Sequence, residues 1–151
     1  MRRLALLLAT AATPALADGP AIRDAYAVAP YPGAATGAAY LVIDNPGPAD
    51  RLLSAASPGA SHVMLHQSTE ADGVLRMEES AHGFKVPEGG ALALEPGGLH
   101  VMLMGLSEPL EDGATLPLVL TFESAGEVAV AVPVDFSRRP GAQPEADHAG
   151  H

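Results

Sequence analysis

Turn signals interrupt this chain every 8–12 residues from Ala21 to Phe136, a spacing that leaves no room for a long helix. Pro, Gly and Asn cluster at Pro30-Tyr31-Pro32-Gly33, Asn45-Pro46-Gly47-Pro48, Pro58-Gly59, Pro87 to Gly90 and Pro96-Gly97-Gly98. Pro fixes φ and removes a backbone donor, whereas Gly and Asn accept turn conformations that other residues resist. Asp72-Gly73 and Ser124-Ala125-Gly126 are tight hairpin signals. The segments between, at 21–29, 36–44, 51–57, 62–68, 73–80, 91–95, 99–104, 115–123 and 127–134, are short and β-like. No window carries a convincing 3.6-residue apolar stripe, apart from a turn of helix expected near Ser107–Asp112. Roughly nine short strands with this punctuation predict an all-β antiparallel sandwich or barrel.

The two ends read differently. Arg2 and Arg3, the apolar run Leu4 to Ala9 and the small-x-small site Ala15-Leu16-Ala17 predict a secretory signal peptide over residues 1–17. Residues 18–136 are expected to form one domain, and residues 137–151, which lack large apolar side chains, are expected to be a disordered, His-containing tail. No later segment is long and apolar enough to span a bilayer, so no membrane insertion follows cleavage of the signal. Without residues 1–17 the chain keeps six basic residues against 18 acidic ones, a formal charge of −12. Such a surface repels nucleic acid and anionic membrane. Cys is absent, so there is neither a disulfide framework nor a thiolate ligand, and blue-copper and dinuclear thiolate sites are excluded.

Against that background, the His and Met residues are unevenly placed. Four of the six His (His62, His66, His82, His100) and four of the five Met (Met64, Met77, Met102, Met104) fall between positions 62 and 104. Side chains two apart on a strand point the same way. His62, Met64 and His66 therefore share one face, opposite Val63 and Leu65. His100, Met102 and Met104 share another, opposite Val101 and Leu103. The aliphatic residues suit a core, which sends the His/Met faces outward or into a cleft. Met77 lies on the strand that the Asp72-Gly73 turn folds back towards His66.

Thioether sulfur is soft and imidazole borderline, and both are neutral when bound, a donor set that suits Cu(I). Ca²⁺ and Mg²⁺ want hard oxygens, and Zn²⁺ prefers His, thiolate or carboxylate to thioether. Taken singly, each Met is an ordinary core filler and each His a hydrogen-bonded structural residue. Two alternating His/Met strands in a Met-poor chain favour the metal reading. His62 and Met64 stay undecided, and His82, beside Gly83 in a turn, reads as a surface residue.

These residues resemble the periplasmic copper chaperones of the PCuAC type, over about Ala21 to Phe136. The resemblance rests on His66-x10-Met77, on His100-x-Met102 within Gly98 to Leu106, and on the closing hairpin Leu118 to Val128. The family pattern is His-x10-Met-x21-His-x-Met; here 22 residues separate Met77 from His100, and the extra one is expected in the Pro87–Gly90 or Pro96–Gly98 turn. The resemblance implies a Greek-key, cupredoxin-like β-sandwich binding one Cu(I) through His66, Met77, His100 and Met102, with Met64 and Met104 as secondary candidates. It also implies a periplasmic monomer that delivers copper to cytochrome oxidase subunit II or to a thiol-containing assembly factor. His148 and His151 in the tail are secondary candidates for Cu(II). On this reading the protein is a metallochaperone and not an enzyme. The rivals are an electron-transfer protein, which the missing Cys opposes, and a scaffold sandwich whose His and Met only pack. A hydrolase built on Ser61, His66 and Asp72 lacks a nucleophile elbow or other context.

Overall fold

A computed structural model describes residues 19–140; the expected signal peptide and the tail residues His148 and His151 lie outside the described residues. Ten strands form: β1 Ala21–Val28, β2 Thr36–Asp44, β3 Asp50–Ala56, β4 Ala60–Ala71, β5 Val74–Glu79, β6 Phe84–Val86, β7 Ala91–Leu94, β8 Leu99–Leu106, β9 Thr115–Phe122 and β10 Gly126–Pro133. One sheet runs β1-β2-β8-β4-β5, with β7 also pairing β2, and the other runs β10-β9-β3-β6. Every strand pair is antiparallel, and the chain crosses repeatedly between the sheets, so the expected all-β sandwich is what forms.

Alternation explains the core. On β2, Ala39, Leu41 and Ile43 point inward, as do Val101 and Leu103 on β8 and Leu65 on β4. From the other sheet they meet Leu52, Leu118, Leu120 and Phe122, nearly all of them without solvent exposure. Burying one such side chain contributes about 1.5–3 kcal/mol, so the inward set fixes which face of each strand is left over. The leftover face of the first sheet carries the His and Met residues.

Three local differences from the sequence reading have physical causes. The three-residue strand β6 is too short to show alternation, and it pairs with β3 through Asp50↔Val86 and Leu52↔Phe84. It is held by Gly83, whose φ of +70° and approach to the Leu52 carbonyl leave no space for a Cβ. The helical turn expected near Ser107–Asp112 does not form; those residues are irregular after β8, and the only helical element described is a 3-10 turn at Phe136–Arg138. That turn carries the ordered fold past Phe136, where the tail was expected to begin. Asp135 caps it by accepting the Ser137 N–H, and Arg138 grips Asp24 through Nη1 and Nη2 at 2.9 and 3.1 Å. Asp24 sits at φ +53° in a bulge of β1, a conformation that Asp tolerates better than most residues.

Two polar side chains staple the loops. Buried Asn45 donates from Nδ2 to the carbonyls of Pro48 and Pro87 and accepts the Gly47 N–H. Asp50 accepts the N–H groups of Arg51, Ser124 and Ala125 at 2.7–3.1 Å, tying the β9–β10 hairpin to β3. Burial acts to raise the Asp50 pKa, but the N–H donors outweigh it and the net shift is downward from 3.8. The charged form is thus the stabilised one: its contribution is full above the unfolded-state value and fades as pH falls through the folded one. Asp50→Ala is expected to cost about 1–3 kcal/mol in urea unfolding at pH 7. The gap between parent and variant should narrow below about pH 3.8, and a gap independent of pH would show that the carboxylate charge is not what ties the hairpin.

Candidate metal centre

The register of β4 against β8 builds the centre. His66 pairs with His100, Met64 with Met102 and His62 with Met104, so both alternating faces coincide on one side of the sheet. The two imidazoles stand edge to face with ring centroids 5.6 Å apart. On the other flank of β4, Met77 pairs with Ser68, one step diagonal from His66 on the same face. Diagonal cross-strand neighbours lie within reach of long side chains. Met77, His100 and Met102 line a single cleft of about 300 Å³. The 22 residues between Met77 and His100 pass through β6 and β7 and still return the chain to this cleft.

Not all the candidates converge equally. Met64 pairs with Met102 but does not line the cleft, and Met104 and His62 lie one step further along the strands. His82 is exposed on the other side of the molecule, where its carbonyl accepts from Arg51 Nη1. Among the described residues no three of His, Asp and Glu gather in one place. The convergence is of two imidazoles with thioethers.

Burial grades the four side chains. His100 is 3% exposed while Met77 is 56% exposed, and His66 and Met102 lie between. Burial is the main cause holding the His100 pKa below 6.5; a long contact from Nδ1 to the Gly98 carbonyl, 3.4 Å, acts the other way, and nearby His66 adds to the depression. His100 is therefore neutral at pH 7. With Nδ1–H directed at the Gly98 carbonyl, its Nε2 lone pair is free to coordinate. His66 Nδ1 is buried with no hydrogen-bond partner. A buried polar nitrogen without a partner is costly in an apoprotein, and a coordinated metal would satisfy it. The donor set and this orphaned nitrogen fit a soft monovalent metal ion.

Other walls of the cleft escaped the sequence reading. Tyr40 packs on His100 at 6.2 Å and on Tyr26 at 5.2 Å, forming with Val28 a small second core on the outer face. Its place opposite Ala39 and Leu41 in the β2 alternation was a usable signal. Arg139 and Pro140 close the cleft from the C-terminal segment, which no periodicity marks.

The family model described as "Putative lipoprotein LpqE-like" matches residues 20–134. The chain belongs to the LpqE-like family. It is 40% identical over 134 residues to "Putative lipoprotein Lxx21020" of Leifsonia xyli subsp. xyli (strain CTCB07), covering 87% of this chain and 80% of that protein. Among solved structures it resembles CuI-DR1885 from Deinococcus radiodurans, at 31% identity and TM-score 0.57, over 79% of this chain and 81% of that one. It also resembles the copper-bound PCuAC domain from PmoF2, at 24% identity and TM-score 0.63, over 76% and 91%. The fold of this LpqE-like chain is that of PCuAC domains, a cupredoxin-like β-sandwich.

His66→Leu removes the orphaned nitrogen and keeps the bulk. The metal-free variant is expected to match the parent in denaturant unfolding or exceed it by up to about 1 kcal/mol. A clear loss of stability would mean that the imidazole serves the fold.

Proposed function

We propose that this LpqE-like protein is an extracytoplasmic copper metallochaperone that carries one Cu(I) on His66, Met77, His100 and Met102. The observation that carries the reading is the meeting of two imidazoles from β4 and β8 beside a cleft that Met77 and Met102 line. Relatives named for bound copper share the fold, and the relative named for CuI is 31% identical. Relatives named as lipoproteins support a place outside the cytoplasm, with the periplasm as the specific expectation. Among the described residues, no helix is long and apolar enough to cross a membrane.

The ligand set suits a carrier more than a catalyst. Four neutral donors stabilise Cu(I) without compensating charge, and they favour it over Cu(II) because thioether sulfur is soft. The burial gradient sets an order of release: Met77, on the edge strand β5, is open to an incoming ligand while His100 is enclosed. A thiolate from an acceptor displaces Met77 first, binds the ion, and the remaining donors then leave stepwise. The acceptor is the copper centre of cytochrome oxidase subunit II or a thiol-containing assembly factor, and the carrier acts as a monomer.

Titration of the mature chain with Cu(I) against a chromophoric chelator should show one tight equivalent, and X-ray absorption should count sulfur and nitrogen scatterers equally. Met77→Leu should weaken binding at least about tenfold, or roughly 1.4 kcal/mol. One tight equivalent that survives this substitution unchanged would refute the ligand assignment. Metal binding no tighter than that of an unrelated acidic protein would leave a scaffold sandwich.

A further inference from the structure

We propose that the outer face of β4 and β8 carries a second, weaker site for a soft monovalent cation, formed by His62, Met64 and Met104. It goes beyond the copper reading, which places one ion on His66, Met77, His100 and Met102.

The His/Met face is longer than one ion needs. His62 stands directly opposite Met104, His66 opposite His100, and the Met64–Met102 pair lies between them. Opposite residues of an antiparallel pair have Cβ atoms about 4.5–5.5 Å apart, and diagonal neighbours at about 7–8 Å stay within reach of long side chains. Met64 is the diagonal neighbour of Met104, as Met102 is of His66. Each end pair can thus take one thioether from the middle pair. Four residues separate His62 from His66 and His100 from Met104, about 13 Å at roughly 3.3 Å per residue. One ion cannot bind both ends. Two ions at that spacing lie beyond the Debye length of about 8 Å in physiological salt, so the first does not exclude the second.

Packing does not account for these residues. Met64 and Met104 are half-buried, yet neither packs against either hydrophobic cluster, which take Ala60, Val63 and Leu106 from the same two strands. On β2 the residues opposite Met104 and Met102 are Thr36 and Ala38, short side chains that leave room on that flank. One imidazole and two thioethers are neutral and mostly soft, which suits Cu(I) or Ag(I). Among the described residues no three of His, Asp and Glu gather in one place, so a hard or divalent ion finds too few donors here. His62 is exposed where its counterpart His100 is buried, and an open site with fewer imidazoles is the weaker of the two.

The test titrates the mature chain with Ag(I) in chloride-free buffer and follows the methyl resonances of Met64, Met77, Met102 and Met104 by NMR. The first equivalent should move Met77 and Met102, and the second should move Met64 and Met104. His62→Ala should weaken the second phase at least about tenfold and leave the first as it is. Met64 and Met104 unmoved through three equivalents, moving in step with Met77 and Met102, or indifferent to His62→Ala overturns the proposal. Should Met64 and Met104 saturate with dependence on His62 while Met77 and Met102 stay still, this site stands and the assignment of the first one falls.

Discussion

The pairing of β4 with β8 is the constraint on which the rest depends. Its register sets His66 against His100 and Met64 against Met102, and the same pairing sends Leu65, Val101 and Leu103 into the core. A slip of β4 by one residue would turn Leu65 to water, at about 1.5–3 kcal/mol, and drive an imidazole into an apolar interior. The apolar side thus enforces the alignment of the polar side. The donors need no loop of their own to be positioned, because the energy that orders them is that of the core behind them.

This arrangement divides the side chains by what holds them. His100 is locked by burial, by Tyr40 and by the contact to Gly98, whereas Met77 stands exposed on an edge strand. The strand β5 is exposed along its whole length, with Val74 and Leu75 also open to water. On the proposed function, a carrier has to hold its cargo on a rigid base and still offer a point of attack, and the two needs fall on different strands. The orphaned Nδ1 of His66 shows the same division: the fold tolerates an unpaired buried nitrogen where a ligand is useful.

What could be read from the chain follows the same physics. The turn punctuation and the two-residue alternation were enough for the sandwich, the core positions and the shared His/Met faces, because each is a local pattern backed by burial. The three residues of β6 carry no alternation, and β4 and β8 run past their expected ends at residues 68 and 104 into polar or Gly-containing segments. The Ser107–Asp112 segment offered helix-compatible residues, but tertiary context left it irregular. The pairing of Met77 with Ser68, one step diagonal from His66, depended on a register that the Asp72-Gly73 turn fixes and a hydropathy pattern cannot.

The C-terminal segment is where sequence pattern and structure part most. Ser137, Arg138 and Arg139 look like the start of a solvated tail, since nothing in them is apolar. Their order comes from arginine chemistry: planar guanidinium groups stack on Tyr26 and Phe136, and one of them closes a bidentate pair with Asp24 across 114 residues of chain. Stacking buries the flat face of the ion without removing its charge, so such a residue can help close an apolar cleft and still leave a cation beside it. The wall beside the His/Met cluster is consequently cationic, although the protein as a whole is acidic. A cationic wall penalises a divalent ion more than a monovalent one, in proportion to charge. On the proposed function, Arg139 acts in the same direction as the soft sulfurs, and selectivity for Cu(I) would rest on electrostatics from the C-terminal segment as well as on the proposed donors of β4, β5 and β8.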